Sequence, residues 1–90
     1  MKVLLIGYNL NAAARSYDDF TTALHDLGDW WHHLNNTWLI RTDRDATEVR
    51  DALKPLMADT DELLVLNVSV ASAAWTGFDE SGDLWLAENL

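Results

Sequence analysis

Trp30-Trp31-His32-His33-Leu34-Asn35-Asn36-Thr37-Trp38-Leu39-Ile40-Arg41-Thr42 is the stretch on which the fold turns. Residues 30–34 and 37–42 are two short runs of aromatic, aliphatic and β-branched side chains, which suit a pleated, half-buried surface. Between them Asn35-Asn36 tolerates the positive φ angles that a two-residue hairpin turn demands. The stretch therefore reads as a β-hairpin.

Upstream, Ser16 and Asp19 suggest a helix start. Phe20, Ala23, Leu24 and Leu27 follow at helical spacing until Gly28, which predicts a helix over residues 17–27. Before it, residues 3–8 are a continuous apolar run closed by Asn9-Leu10-Asn11, as expected of a strand central in its sheet. Downstream, Asp45 and Glu48 stand at capping-box spacing before an apolar stripe of Val49, Ala52, Leu53 and Leu56. Pro55 falls in the last turn of that helix, where its ring clashes with the carbonyl four residues back, so a kink or an early end is expected there. Residues 62–68 form a further strand, and a short helix is expected over residues 81–89.

The order strand, helix, strand, strand, helix, strand predicts an α+β domain: a ferredoxin-like βαββαβ sandwich with a four-stranded antiparallel sheet. The first and third strands are expected at its centre, two helices on one face, and a short C-terminal helical tail over residues 68–90. A chain of 90 residues has room for one core, so residues 1–90 read as a single domain.

Neighbouring residues in a strand point to opposite faces, so Trp31, His33, Trp38 and Ile40 cannot all meet the two helices. The second face of the sheet needs a cover. The tail with Trp75, Phe78, Trp85 and Leu86, a second copy of the chain, or a ligand could supply it. Tail packing combined with a homodimer is the expectation, since an exposed aromatic patch marks an interface. Tyr8, Trp31, His33, Trp38, Trp75 and Phe78 are the candidate interface or ligand residues.

Six Lys and Arg against fifteen Asp and Glu give a net charge of -9, which opposes the counterion release that drives nucleic-acid binding. Lys2, Arg15, Arg41, Arg44, Arg50 and Lys54 are the only residues from which a basic patch could be built. The absence of cysteine removes disulfides, thiolate ligands and a cysteine nucleophile, and a reducing cytoplasm is expected. The N-terminal apolar run is too short for a signal peptide, and no stretch approaches the roughly 20 apolar residues of a membrane span.

Chemistry-bearing patterns are sparse. Adjacent His32 and His33 point apart in a strand and cannot share a metal, and His25 has no partner at ligand spacing. Asp43, Asp45 and Glu48 could offer a weak hard-cation site but lack the calcium-loop glycine. No glycine-rich phosphate loop or nucleophile elbow occurs. Most of the carboxylates Asp18, Asp19, Asp26, Asp59, Asp61 and Glu62 read as solvated, with Asp19 and Asp45 as helix caps.

Leu5-Ile6-Gly7-Tyr8-Asn9-Leu10, the Trp30-Trp31-His32-His33-Leu34 and Thr37-Trp38 segments, and Asp61-Glu62-Leu63-Leu64-Val65 resemble the small Cas2-like and VapD-like ferredoxin-fold proteins of bacteria and their mobile elements. Together with Trp75-Thr76-Gly77-Phe78 they are most similar to a group of short bacterial proteins carrying a SinR-family label. The resemblance spans residues 1–68 and implies a homodimer. It also implies a divalent metal held by an aspartate at the end of the first strand in nuclease members. Asn9 stands at that position here and brings no negative charge, which disfavours magnesium or manganese.

The leading expectation is thus a non-enzymatic, homodimeric protein-interaction module, which the resemblance places in a prokaryotic defence or toxin–antitoxin setting, with a further protein as partner. Two alternatives stand beside it. One is a magnesium- or manganese-dependent endoribonuclease using Asn9 with Asp29 or Asp43. The other is a binder of a flat ligand such as a nucleotide, stacked on Trp31 or Trp38.

Overall fold

The computed structural model describes residues 1–12 and 16–90. The elements are β1 (Lys2–Asn9), α1 (Asp18–Asp26), β2 (Asp29–Leu34), β3 (Thr37–Thr42), α2 (Ala46–Leu53), a 3₁₀ turn (Lys54–Leu56), β4 (Glu62–Asn67) and α3 (Glu80–Asn89). Four strands form one antiparallel sheet in the order β2-β3-β1-β4, with β1 and β3 central as their apolar runs require.

Strand alternation sorts the apolar residues into two cores. Leu4, Ile6, Trp38 and Ile40 face α1 and α2, where they pack on Phe20, Leu24, Leu27, Val49 and Leu53. Val3, Trp31 and Leu39 face the other way and are covered by Leu86 of α3, with Trp75, Phe78 and Trp85 around them. The tail therefore covers part of the second face of its own chain.

Local chemistry accounts for most boundaries. Asp45 caps α2 by accepting from the Glu48 amide at 2.9 Å, and Glu48 Oε1 accepts from the Asp45 amide in return at 3.4 Å, completing the capping box. Pro55 stops the α-helix at Leu53 and the chain tightens into the 3₁₀ turn. The start of α1 departs from expectation. Its N-cap is Tyr17, with no side-chain cap, and Ser16 Oγ only accepts from the Asp18 amide at 3.3 Å.

The hairpin turn also departs from expectation, because neither Asn35 nor Asn36 has positive φ. A turn with negative φ at both residues splays its strands. Here β2 compensates with a bulge: Trp31 opposes Leu39, whereas Leu34 opposes Thr37, so one extra residue lies between the two pairs. Bulges add local right-handed twist, which supplies what the turn does not. At the base of the hairpin, Gly28 passes so close to β3 that a Cβ there would overlap the Arg41 carbonyl oxygen, which explains a glycine without any need for positive φ.

Candidate functional site

The site residues expected from sequence fall into three places. Trp38 is 1% exposed within the helix-side core, where its Nε1 donates to Tyr8 Oη at 2.9 Å and His32 stacks on its indole at 4.0 Å. His25 and Trp30 pack on the same ring system at 5.2 and 5.3 Å. Tyr8 in turn meets Phe20 edge-on at 5.1 Å. Tyr8 and Trp38 thus form one packed, hydrogen-bonded unit inside the domain.

Trp31, His33, Trp75 and Phe78 gather on the opposite face and hold the tail. Trp31 is 3% exposed, meets Phe78 edge-on at 4.9 Å, and donates from Nε1 to the Gly82 carbonyl at 3.1 Å. Trp75 Nε1 donates to Asp83 Oδ1 at 2.8 Å. His33 lies against Gly82, where a Cβ would come within 3.2 Å of the imidazole, so glycine lets α3 approach the sheet. Among the described residues, the buried Trp85 Nε1 finds no acceptor, a cost of about 1–3 kcal/mol against docking. His32 and His33 do point apart, as the strand geometry requires. Because Trp31 and Trp38 are buried by this chain's own side chains, a flat ligand could stack on them only by displacing those neighbours.

Asp79 caps α3. Its carboxylate is held below the ordinary aspartate value first by the Gly82 backbone N–H and then by the Ser81 hydroxyl, with His33, 3.8 Å away, a lesser contributor against a small opposing desolvation. A folded-state pKa that is depressed contributes stability above the unfolded value, about 4, and that contribution disappears as pH falls through the lower folded value. Acidification below about pH 4 is therefore expected to loosen α3 ahead of the sheet. An Asp79→Asn variant, whose amide oxygen still caps, should show a flatter pH profile for this step in near-UV circular dichroism of the tail tryptophans.

The residues considered for metal-dependent cleavage do not converge. Asn9 ends β1, opposite Glu62, and its Nδ2 donates to Glu62 Oε1 at 3.2 Å. Asp29 pairs with Arg41, which opposes Val3, and the Asp43 carbonyl accepts from Lys2 Nζ at 3.0 Å, so both aspartates sit at the far end of β1. At about 3.3 Å per residue that separation is roughly 20 Å. Asp45 and Glu48 are committed to the α2 cap, and no group of three or more His, Asp or Glu among the described residues is placed to hold a metal ion. The residues at this end of β1 do not fit a hard cation, because the uncharged amide is already turned towards a carboxylate. Of the basic residues, Arg15 lies outside the described residues, and Arg50 is paired with Asp51 at 3.0 Å.

Asp61 is an exception among the carboxylates expected to be mostly solvated. Its carboxylate accepts from the Asn11 amide at 2.6 Å, the Ala58 amide at 2.7 Å and the Tyr17 hydroxyl at 2.7 Å. It ties the end of β1, the entry to α1 and the turn before β4 into one junction. The Asp61-Glu62 pair before a strand gave no signal of this, since the donors are 3, 44 and 50 residues away.

What the tail leaves uncovered is the β4 side of the second face. Leu64 is 56% exposed and Leu66 45%, on the outer strand beside half-buried Leu5. Residues 63–78 carry no charged side chain in a chain of net charge -9, and within them Val70 is fully exposed. A shallow apolar hollow of about 190 Å³, lined by Leu5, Leu34, Leu39, Trp75, Phe78 and Leu90 among others, adjoins this strip. No helix among the described residues is long and apolar enough to cross a membrane. No family model, curated protein or solved structure matches the chain.

Proposed function

We propose that this chain is a homodimeric protein-interaction module with a ferredoxin-like fold and no catalytic role. The observation that carries the reading is the uncharged, apolar strip along β4, with Leu64 and Leu66 exposed on it. A protein this acidic keeps itself soluble by charge, and an exposed surface left free of charge is where association costs least in repulsion. The strand order, with β1 and β3 central and α1 and α2 sharing one face, supports the ferredoxin-like assignment. Cas2-like or VapD-like ancestry, a cytoplasmic location and a defence or toxin–antitoxin setting form part of the same proposal. They rest on the resemblance of the β1, hairpin and β4 segments. A further protein, rather than nucleic acid, is the partner that the negative charge favours.

Sedimentation velocity at micromolar concentration is expected to give twice the 10.2 kDa chain mass. Burying a leucine stabilises an interface by about 1.5–3 kcal/mol, so Leu64→Lys with Leu66→Lys should weaken the dimer by about 100-fold or more while leaving the thermal transition of the folded chain in place. A wild-type chain that remains monomeric at hundreds of micromolar would refute the reading.

A further inference from the structure

The hydrogen-bonding parity of β1 dictates which groups β4 presents to its open edge. The Tyr8 amide donates to the Asn36 carbonyl at 3.1 Å, on the β3 side, and the Val68 amide donates to the Val3 carbonyl at 2.9 Å, on the β4 side. Alternation along an antiparallel ladder then assigns even-numbered residues of β1 to β3 and odd-numbered ones to β4. Leu5 opposes Leu66 and Gly7 opposes Leu64, so Leu64 and Leu66 direct their peptide groups inward. Leu63, Val65 and Asn67 direct theirs outward, to the edge.

The two edges of the sheet are not equivalent. The β2 edge begins with Asp29 and is bent by its bulge, both devices that discourage strand addition. The β4 edge pairs with β1 over six residues without a register shift, contains no proline or lysine, and has Glu62 as its only charge. It is a straight strand with apolar side chains on both faces and three sets of outward peptide groups, which is the form that β-strand addition requires.

We propose that two copies of the chain join β4 to β4 in antiparallel register about a two-fold axis at Val65, forming one continuous eight-stranded sheet. The inference rests on the homodimer reading above and names its geometry. Outward peptide groups can bond only between odd-numbered residues, which leaves two central registers. An axis at Leu64 sets Glu62 against the partner's Leu66. An axis at Val65 sets Leu64 against the partner's Leu66, Leu63 against Asn67, and Glu62 against Val68. This second register gathers four leucines into one block, whereas the first sets each Leu66 against the carboxylate of Glu62. On the helix side, a groove of about 250 Å³ between α2 and β4, lined by Ala46, Thr47, Arg50, Leu63 and Val65, has room for the partner's Val65.

The chain has no cysteine, so Leu64→Cys and Leu66→Cys each introduce one thiol on an exposed side chain. In the proposed register these positions form a non-hydrogen-bonded pair with a Cα separation of about 4.5 Å, within the roughly 4.4–6.8 Å that a disulfide spans, whereas like positions, offset by two residues, lie about 7–8 Å apart. A mixture of the two variants under mild oxidation is expected to form covalent dimer roughly tenfold faster than either variant alone. Faster crosslinking of Leu64→Cys by itself would overturn the Val65 axis. A chain that sediments as a dimer but crosslinks in neither case would overturn edge pairing and leave the homodimer standing. A chain that sediments as a monomer in wild type and both variants would overturn both.

Discussion

Trp38→Ala is expected to cost about 4 kcal/mol and to leave the domain close to unfolding, measured by chemical denaturation followed in the far ultraviolet. The indole is 1% exposed and lies at the centre of the helix-side core, stacked with His32 and packed by Trp30 and His25. Its removal opens a cavity that β3, held on both sides in the middle of the sheet, cannot collapse to fill. It also strands the Tyr8 hydroxyl, which accepts the indole N–H at 2.9 Å. Small domains have on the order of 5–10 kcal/mol in hand, so a loss of this size consumes much of it. Trp38→Phe should recover more than half of the loss, since it restores ring volume without the Nε1 donor. Equal losses for alanine and phenylalanine would mean that the hydrogen bond, and not the volume, carries the effect.

Asp61→Ala is expected to cost about 3 kcal/mol, more than any other carboxylate replacement in the chain. Its carboxylate accepts from two backbone amides and one phenol, at 2.6 to 2.7 Å. Hydrogen bonds to a charged acceptor contribute about 1.5–3 kcal/mol each before solvent takes over the orphaned donors, and the half-exposed site allows part of that rescue. Tyr17→Phe removes one donor to Asp61 and the acceptor of the Ala12 amide, and should cost about 1–2 kcal/mol. A double variant should therefore lose less than the sum of the two, because both changes break the same Tyr17–Asp61 bond. Full additivity in denaturation midpoints would show that the pair is not coupled.

The legible parts of this fold are those written in near neighbours. The capping box of Asp45 and Glu48, the stop at Pro55 and the apolar run of β1 each depend on residues within four positions, and all three appear in the structure as expected. The hairpin itself is present, but its turn chemistry is not the one that Asn35-Asn36 suggests, because a bulge two residues upstream supplies the twist. The need of the second face for a cover is also legible, since Trp31, His33, Trp38 and Ile40 cannot all meet one pair of helices.

The candidate site was less legible, and for a physical reason. Side-chain direction in a strand depends on register, and a shift of one residue exchanges Trp31 with Trp30 and His33 with His32. Sequence alone groups Tyr8, Trp31, His33, Trp38, Trp75 and Phe78 as one surface. The structure divides them between two cores, with Trp38 and Tyr8 on the α1–α2 side and the other four under or beside α3. Leu64 and Leu66 pass unnoticed within an apolar run, because the same run reads equally well as a buried strand or as an outer one.

The residues and their spacing were enough to establish the element order, the central place of β1, the caps and breaks of α2, and a net charge of -9. Tertiary structure alone decided that two leucines of β4 stand in solvent, that Asp61 joins three distant segments, and that Asn9 stands about 20 Å from Asp29 and Asp43. Periodicity and capping are short-range and act within one element. Side-chain exposure on an edge strand, junctions and site convergence depend on register and on what packs over each face, and that is settled only when burial of the whole sheet selects a single register.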